Sequence, residues 1–519
     1  MRKFMNIFAA ALIMLAAVSC EKNEVLPDNN SEGKVVTLKA SINNGGTKTS
    51  LGPGVQEGSN PIQYPVYWSE NDAIAVIQGS NVYEFTLKDG KGTTSATFQS
   101  GSAGGFDPSQ PYNAFYPFSY VSKENSEIKY TIPTTQTYAG NSFASGSVPM
   151  VATSSNLNDE LEFTSLSGAL KLQLKGTSSI KSIEVVSTLN ISGTIDSDPY
   201  NKALNTLEFN TSNCYKWVIL DCGTNGVKLK EGEATNFIIA ISKNSMYGGP
   251  FLTIIITDTE ENRRVVRTGL RQSITAENIL KMPIVNYDPH ENEYIVVEND
   301  KSTYYGAGVE VGGAVWAPVN CGFKPFSSAG KGYARGKYYQ WGRKDGHGYN
   351  GDDASLYTQV AEESTLEEDQ DPEPNTIYKN WSDNTKYQTG WTIETNPCPD
   401  GWEVPSSDQM SNLIKNNSPI SNNTSYPYYR YGFYGNWFTG DLSYDNREEK
   451  KVFLQRIGYI SISNNGSVSA KMSNSYGAYW TSTNYKYLYF GTEPRQWAGK
   501  EVRNTDKSNA YNIRCVKKS

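Results

Sequence analysis

LEFTSLSGALKLQL, residues 161 to 174, sets an apolar side chain at alternate positions, first Leu161 and Phe163, then Leu170, Leu172 and Leu174. A period of two sends successive side chains to opposite faces of an extended chain, the pattern of a strand with one face on a core. A helix repeats near 3.6 residues and would scatter these leucines around its axis. The same alternation recurs in VVTLKASI (35 to 42), NVYEFTLKD (81 to 89), SIKSIEVVS (179 to 187), TNFIIAIS (235 to 242) and FLTIIITD (251 to 258), between stretches rich in Gly, Asn, Asp, Ser and Pro. Short alternating strands separated by turn residues predict antiparallel β-sandwiches from about residue 34 to 288. The length exceeds that of one sandwich of about 100 residues, so two are expected, 34–164 and 165–288, divided near Thr164.

Upstream, Arg2 and Lys3 precede the apolar run FAAALIMLAAV (8 to 18), then Ser19 and Cys20. The run is too short to span a bilayer as a helix and has the order of a secretory signal. Small residues before Cys20 resemble a bacterial lipobox, departing from it at Ala17, where the common pattern has Leu. That resemblance implies a signal peptide of residues 1–19, a lipidated Cys20 and anchoring at the outer membrane. Residues 20–33 are polar and aperiodic, as in a flexible tether. The formal charge of -7 offers no basic face, and nucleic acid is therefore not an expected partner.

After PHENEYIVVENDKS (289 to 302), which reads as a linker, the composition changes. Eight of the ten tryptophans lie beyond residue 303, so 303–519 is a different domain. Within it Ser406-x-x-Gln409 is a capping box, and Met410, Leu413 and Ile414 share one helical face. One short helix on irregular sheets makes this domain α+β. The fold class expected overall is mainly β.

In the first half VYWSENDAIAVI (66 to 77), YNAFYP (112 to 117), the IPTTQ from Ile132, SVPMVA (147 to 152) and LEFTSLSGALKLQL occur in one series. This series resembles the fimbrillin-like lipoproteins of Bacteroidetes, the type V pilus family. Trp68, Tyr112, Phe115 and Tyr116 are read as core and corner packing. In the second half Trp316 with Asn320, Trp341, Cys398-Pro399-x-Gly401-Trp402-x-x-Pro405, Tyr479-Trp480 with Ser482, and Arg514-Cys515-Val516 resemble the Fibrobacter succinogenes major paralogous domain, a relative of the C-type-lectin-like fold. The chain is thus read as two tandem fimbrillin-like β-sandwich domains followed by a C-type-lectin-like domain.

Cys398 and Cys515, near the ends of a compact module, are expected to form a disulfide. Cys214 and Cys222 are expected to close a small hairpin, leaving Cys321 unpaired and buried. Catalysis finds no foothold: the two histidines, His290 and His347, lie in the linker and a Gly-rich loop, and no GxSxG, HExxH or Walker A motif occurs. GAGVEVGG (306 to 313) reads as a β-turn region. Nine carboxylates between Asp352 and Glu373 suggest calcium, and Glu373-Pro374-Asn375 is the tripeptide of mannose-type lectins. It lies before the helix rather than late in the fold, so the run is read as solvated and no cofactor is expected.

SYPYYRYGFYGNWFTGD (425 to 441) holds eight aromatics between Tyr426 and Phe438. Tyr429, Arg430, Tyr431, Tyr434, Asn436, Trp437 and Asp441 are the candidate ligand residues, because aromatic faces stack on sugar rings and polar edges meet hydroxyls. The function expected is a surface adhesin, a terminal or accessory fimbrial subunit whose head binds glycan or surface protein. A purely structural cap and a lipoprotein for polysaccharide capture are the alternatives. The fimbrillin resemblance implies assembly with other subunits by strand addition. It also implies clipping after an arginine, yet none lies between Arg2 and Arg263. The chain is therefore expected either to stay lipid-anchored at Cys20 or to be matured at a lysine such as Lys34, Lys39 or Lys48. Mass spectrometry of the mature N-terminus decides between them. A start after one of those lysines would sink permanent anchoring.

Overall fold

The computed structural model describes residues 35–519 apart from 43–49, 52–65, 102–103, 125–126, 155–159, 196–208, 243–248, 275–278, 330–331, 349–362, 365, 368–370, 375, 388, 416–428, 441–449, 464, 472–473 and 492–500. The signal, the tether and Cys20 lie outside the described residues, as does most of the acidic run. Among the described residues the chain is mainly β, and its α-helix is Ser407–Ile414.

In the first unit the two faces of the expected sandwich belong to one sheet that closes on itself. Thr37–Ile42, Leu161–Ser165, Met150–Ser154, Tyr112–Tyr116, Ala73–Gln78, Asn81–Asp89 and Ser95–Ser100 follow in that order around a barrel. Thr37–Ile42 closes it, antiparallel to Ser95–Ser100 and parallel to Leu161–Ser165. Alternation fills the interior with Leu38, Ala40, Ile42, Ile74, Val76, Phe85, Phe98 and Phe163 around a fully buried Trp68. Trp68 meets Phe98, Tyr116 and Phe163 edge-on at 4.9 to 5.6 Å, the arrangement that ring quadrupoles favour. The Tyr116 hydroxyl donates to Asp72 at 2.8 Å. Trp68, Tyr112, Phe115 and Tyr116 are all buried, as core packing requires.

The second unit is a two-layer sandwich. Thr235–Ser242, Ser167–Lys175 and Ile279–Asn286 form one sheet. The other contains Trp217–Asp221, Ser179–Ser187, Leu252–Asp258 and Arg263–Arg267. Leu170, Leu172, Leu174, Ile183, Val185, Ile239, Ile254 and Ile256 fill the space between them. The expected division at Thr164 needs correction, because earlier residues cross it. Thr135–Thr137 pairs with Trp217–Asp221, and Glu127–Ile132 pairs with Ser192–Ile195. The Gln136 amide donates to the Ala240 carbonyl at 2.7 Å and accepts from its N–H at 2.9 Å, fastening the first unit's chain to the second unit's strand.

The expected linker is corrected more sharply. Glu293–Glu298 and Lys301–Ala307 form a hairpin turning at Asn299 and Asp300, both with positive φ, where Asn and Asp are well tolerated. Its second strand pairs with Arg263–Arg267 and so extends the sandwich sheet. Beneath it lies a buried ion pair: Arg264 reaches Glu293 at 3.3 Å, with side chains 4% and 1% exposed. Arg264 also donates to the carbonyls of Tyr287 and Asp288 at 2.8 and 2.9 Å. Glu293 accepts from the backbone N–H groups of His290 and Gly306.

The same hairpin enters the third unit. Tyr294 meets Trp402 edge-on at 5.2 Å, and the Tyr305 hydroxyl donates to the Phe323 carbonyl at 3.0 Å. There, Val309–Val311, Ala314–Trp316, Val516–Lys517 and Trp402–Glu403 form a four-stranded sheet, with GAGVEVGG turning at Gly312 and Gly313 as expected. The helix has its capping box: Ser406 Oγ accepts from the Gln409 N–H at 3.1 Å and Gln409 Oε1 from the Ser406 N–H at 2.7 Å. Met410 and Leu413 are buried beneath it. Asn320 and Arg514 form a buried network, with Asn320 Oδ1 accepting from Arg514 at 2.6 and 2.9 Å and the Ala317 and Phe453 carbonyls taking the other guanidinium protons. Removing one member of a buried ion pair strands the other charge. Glu293→Ala is therefore expected to lower stability by about 3 to 5 kcal/mol, read by chemical denaturation, and a loss below about 1 kcal/mol would show that the hairpin docks without it.

Candidate ligand-binding site

Cys398 and Cys515 are disulfide-bonded, with Cα atoms 6.0 Å apart, as expected. The bond fixes the CPDGW segment to the C-terminal strand. The second expected disulfide is corrected: no disulfide joins Cys214 and Cys222. Their strands do not form a hairpin, since Phe209–Tyr215 pairs with Ser192–Ile195 while Trp217–Asp221 pairs with Ser179–Ser187 in another sheet. The Cys214 sulfur instead accepts from the Asn190 amide at 3.1 Å. Burial pushes the Cys222 thiol up to about 12. The histidines lie apart, His290 at the junction and His347 buried in a backbone bridge to Tyr338.

Tyr429–Arg430 and Phe433–Phe438 form a tight hairpin with Tyr431 and Gly432 at its tip. Both tip residues have positive φ, +54° and +85°, the geometry of the turns that match strand twist. A bulky residue at positive φ is unusual, and here the surroundings account for it. The Arg267 guanidinium of the second unit lies 4.2 Å over the Tyr431 ring and 4.8 Å over Phe323. Phe453 meets Tyr431 from the third unit at 5.9 Å. Tyr431 thus packs into the seam between two units. A cavity of about 30 Å³ lies there among Thr188, Phe251, Arg267, Phe323, Tyr431 and Phe433, room for about one water.

Alternation divides the remaining aromatics. Phe433 and Phe438 are buried, Phe438 against Phe490 at 5.2 Å. Trp437 is half-buried against Phe453 at 5.1 Å, with the Lys451 ammonium 5.0 Å from its ring. Tyr434 is 45% exposed beside Arg456. Tyr434 and Trp437 stand three residues apart on one strand, so they face opposite sides of the ribbon. Arg430 and Asn436 are half-buried. The Tyr429 side chain and Asp441 lie outside the described residues. The candidate residues therefore make no single flat platform. Phe433 lines the seam cavity, and Tyr434 shares the opposite face with Asn436 and the buried Phe438.

A second aromatic surface was not expected from the sequence. Tyr476–Trp480, Lys486–Gly491 and Glu501–Asn504 form a sheet whose register sets Ala478 beside Tyr489, Trp480 beside Tyr487, and Tyr487 beside Arg503. Tyr476, Tyr487, Tyr489 and Arg503 consequently share one face, while Tyr479, Leu488 and Phe490 enter the core from the other. Tyr476 stacks on Tyr489 at 5.4 Å, and Tyr487 on Tyr511 at 4.4 Å, with Tyr459 against Tyr511 at 5.2 Å. The Arg503 guanidinium lies 4.3 Å from the Tyr489 ring and pairs with Glu501. Burial, helped by the neighbouring Tyr476 and Tyr459 phenols, pushes Tyr489 up to about 12. Burial likewise raises Tyr459. These phenols stay protonated at neutral pH, so each can donate and accept a hydrogen bond. The available signal was YKYLYF (485 to 490), whose alternate tyrosines share a strand face.

The sequence matches no family model and no curated protein. Among solved structures, the chain is similar to a candidate cell adhesion protein of Bacteroides ovatus, at 13% identity and a TM-score of 0.32, covering 53% of this chain and 96% of that one. It is also similar to the tip fimbrial protein Mfa3 of Porphyromonas gingivalis, at 10% identity and 0.20, covering 46% of this chain and 82% of that one. A fimbrial protein of Bacteroides ovatus aligns over 93% of this chain and 99% of its own, at 12% identity and 0.22.

The seam assigned to Tyr431 is testable by a double-mutant cycle. Arg267→Ala and Tyr431→Ala, each and together, are expected to show a stability coupling of about 0.5 to 2 kcal/mol in chemical denaturation. Strict additivity would detach Tyr431 from Arg267.

Proposed function

We propose that this chain is an exported cell-surface adhesion protein of the fimbrillin kind, a terminal or accessory subunit with the third unit as its head. In this reading Cys20 carries the lipid anchor at the outer membrane, and other subunits attach by strand addition. One observation carries it. Ile279–Asn286, which completes the second sandwich, runs on through Tyr287 into a hairpin docked on both neighbours through the buried Glu293, Tyr294 and Tyr305. A strand held at its far end by a buried ion pair is unavailable for donation to another subunit. That suits an end or side position better than a repeating shaft position.

For the ligand, the reading favours carbohydrate at the Tyr459, Tyr476, Tyr489 and Arg503 surface. Half-exposed rings offer apolar edges, and neutral phenols beside an Arg and Glu pair offer the donors and acceptors that sugar hydroxyls need. Tyr434 and Trp437 are a lesser candidate, since they face apart. The reading includes neither catalysis nor a cofactor.

The soluble chain from residue 21 is the material to screen against glycans and matrix proteins, with and without calcium. A Tyr476→Ala/Tyr489→Ala variant that remains folded is expected to lose tenfold or more in affinity, about 1.4 kcal/mol, while Tyr434→Ala changes it little. The reverse pattern would move the ligand to the 429–438 ribbon. A folded chain that binds nothing would favour the structural cap.

A further inference from the structure

The third cysteine of the head sits beside the other two. Cys321, Cys398 and Cys515 bring their sulfurs within 4.8 Å of one another, and all three residues are buried. One bond joins two of the three sulfurs. Cys321 is also held against both segments that the disulfide joins. Its thiol donates to the carbonyl of Pro397, the residue before Cys398, at 3.1 Å. Its backbone N–H donates to the carbonyl of Ile513, two residues before Cys515, at 2.8 Å. Exchange between a thiol and a disulfide proceeds by attack of a thiolate on one sulfur, along the axis of the bond that breaks, and so requires close access to that sulfur.

We infer that Cys321 is a resident exchange partner for the Cys398–Cys515 disulfide, able to convert it to Cys321–Cys398. The Cys321 thiolate attacks Cys398 Sγ, a new S–S bond forms, and the old one breaks. Cys515 leaves as a thiolate and takes up the proton that Cys321 gave up. One disulfide and one thiol stand on each side, so no oxidant or reductant is consumed.

The environment holds the native pairing in place. Burial pushes the Cys321 thiol up to about 11, against the pull of the Tyr339 and Tyr294 hydroxyls and of Lys337. The thiolate is therefore scarce at neutral pH, and exchange is slow. The Tyr339 hydroxyl lies 3.2 Å from the Cys321 sulfur, and Tyr294, from the junction hairpin, lies 3.6 Å from that of Cys515. Exchange would free Val516–Lys517, which lies between Ala314–Trp316 and Trp402–Glu403, from its covalent tie. The bond is thus a latch whose release is built into the core.

Non-reducing peptide mapping of the full soluble chain tests this. In Cys515→Ser, secreted through an oxidising compartment and shown to be folded by circular dichroism, most molecules are expected to carry a Cys321–Cys398 bond. Free Cys321 and Cys398 in that folded variant would overturn the proposal. The wild-type chain supplies a second measurement should the variant not fold. It is incubated undenatured at pH 9 and then alkylated in acidic denaturant. A Cys321–Cys398 fraction with alkylated Cys515 is expected, growing with time and absent from Cys321→Ala. An intact Cys398–Cys515 bond with only Cys321 alkylated among the three, at every time, would overturn it.

Discussion

Taking an arginine and a glutamate out of water costs several kcal/mol per ion, and the Arg264–Glu293 pair at the base of the hairpin exists only because both are nearly fully solvated by protein. Arg264 spends its remaining protons on two backbone carbonyls, and Glu293 accepts two backbone N–H groups. Those partners come from the end of the second sandwich and from the hairpin itself. The pair therefore holds a place where three stretches of chain must meet in one geometry. With that place held, Tyr294 and Tyr305 reach the core of the head. The Tyr294 hydroxyl touches the sulfur of Cys515, so junction, disulfide and C-terminal strand are continuous.

The abundance of Trp and Tyr in the head follows from its architecture. A domain of small sheets with one short helix has few long aliphatic rows to interdigitate, and large rings fill irregular spaces while their polar ends find hydrogen bonds. Trp316, Trp381 and Trp480 are buried with their ring N–H groups donating to the carbonyls of Val311, Trp341 and Tyr339. Tyr476 and Tyr489 are only half-buried, although Ala478 and Trp480 on the same sheet face belong to the core.

Most of the residues that carry the lectin-like resemblance are core residues, Gly401 and Ser482 being exposed. Arg514 donates to Asn320 and to two carbonyls, while burial lowers its pKa. Asn320 also donates to the Arg335 carbonyl and to Gln455, tying together four distant stretches. Such a network tolerates little substitution, because each missing partner strands a buried polar group. The motifs thus mark a scaffold.

Period-two alternation sufficed for the strands of the first two units, because one face of each is buried and a shift of one residue would expose it. The capping box and the turn at Gly312 and Gly313 were equally legible, being satisfied within a few residues. Pairing partners were not. Whether Thr135–Thr137 belongs with the first unit or the second depends on Gln136 finding Ala240, 104 positions away. PHENEYIVVENDKS has a linker's polarity, and its alternation becomes a docked hairpin only once Arg264 is beneath Glu293. The aromatic run at 425–441 announced its rings, but a strand's two faces and the neighbouring unit decided which of them are core, seam or surface. Local chemistry is written in adjacent residues; sheet partners, buried charges and the meeting of three cysteines depend on distances that only the folded chain sets.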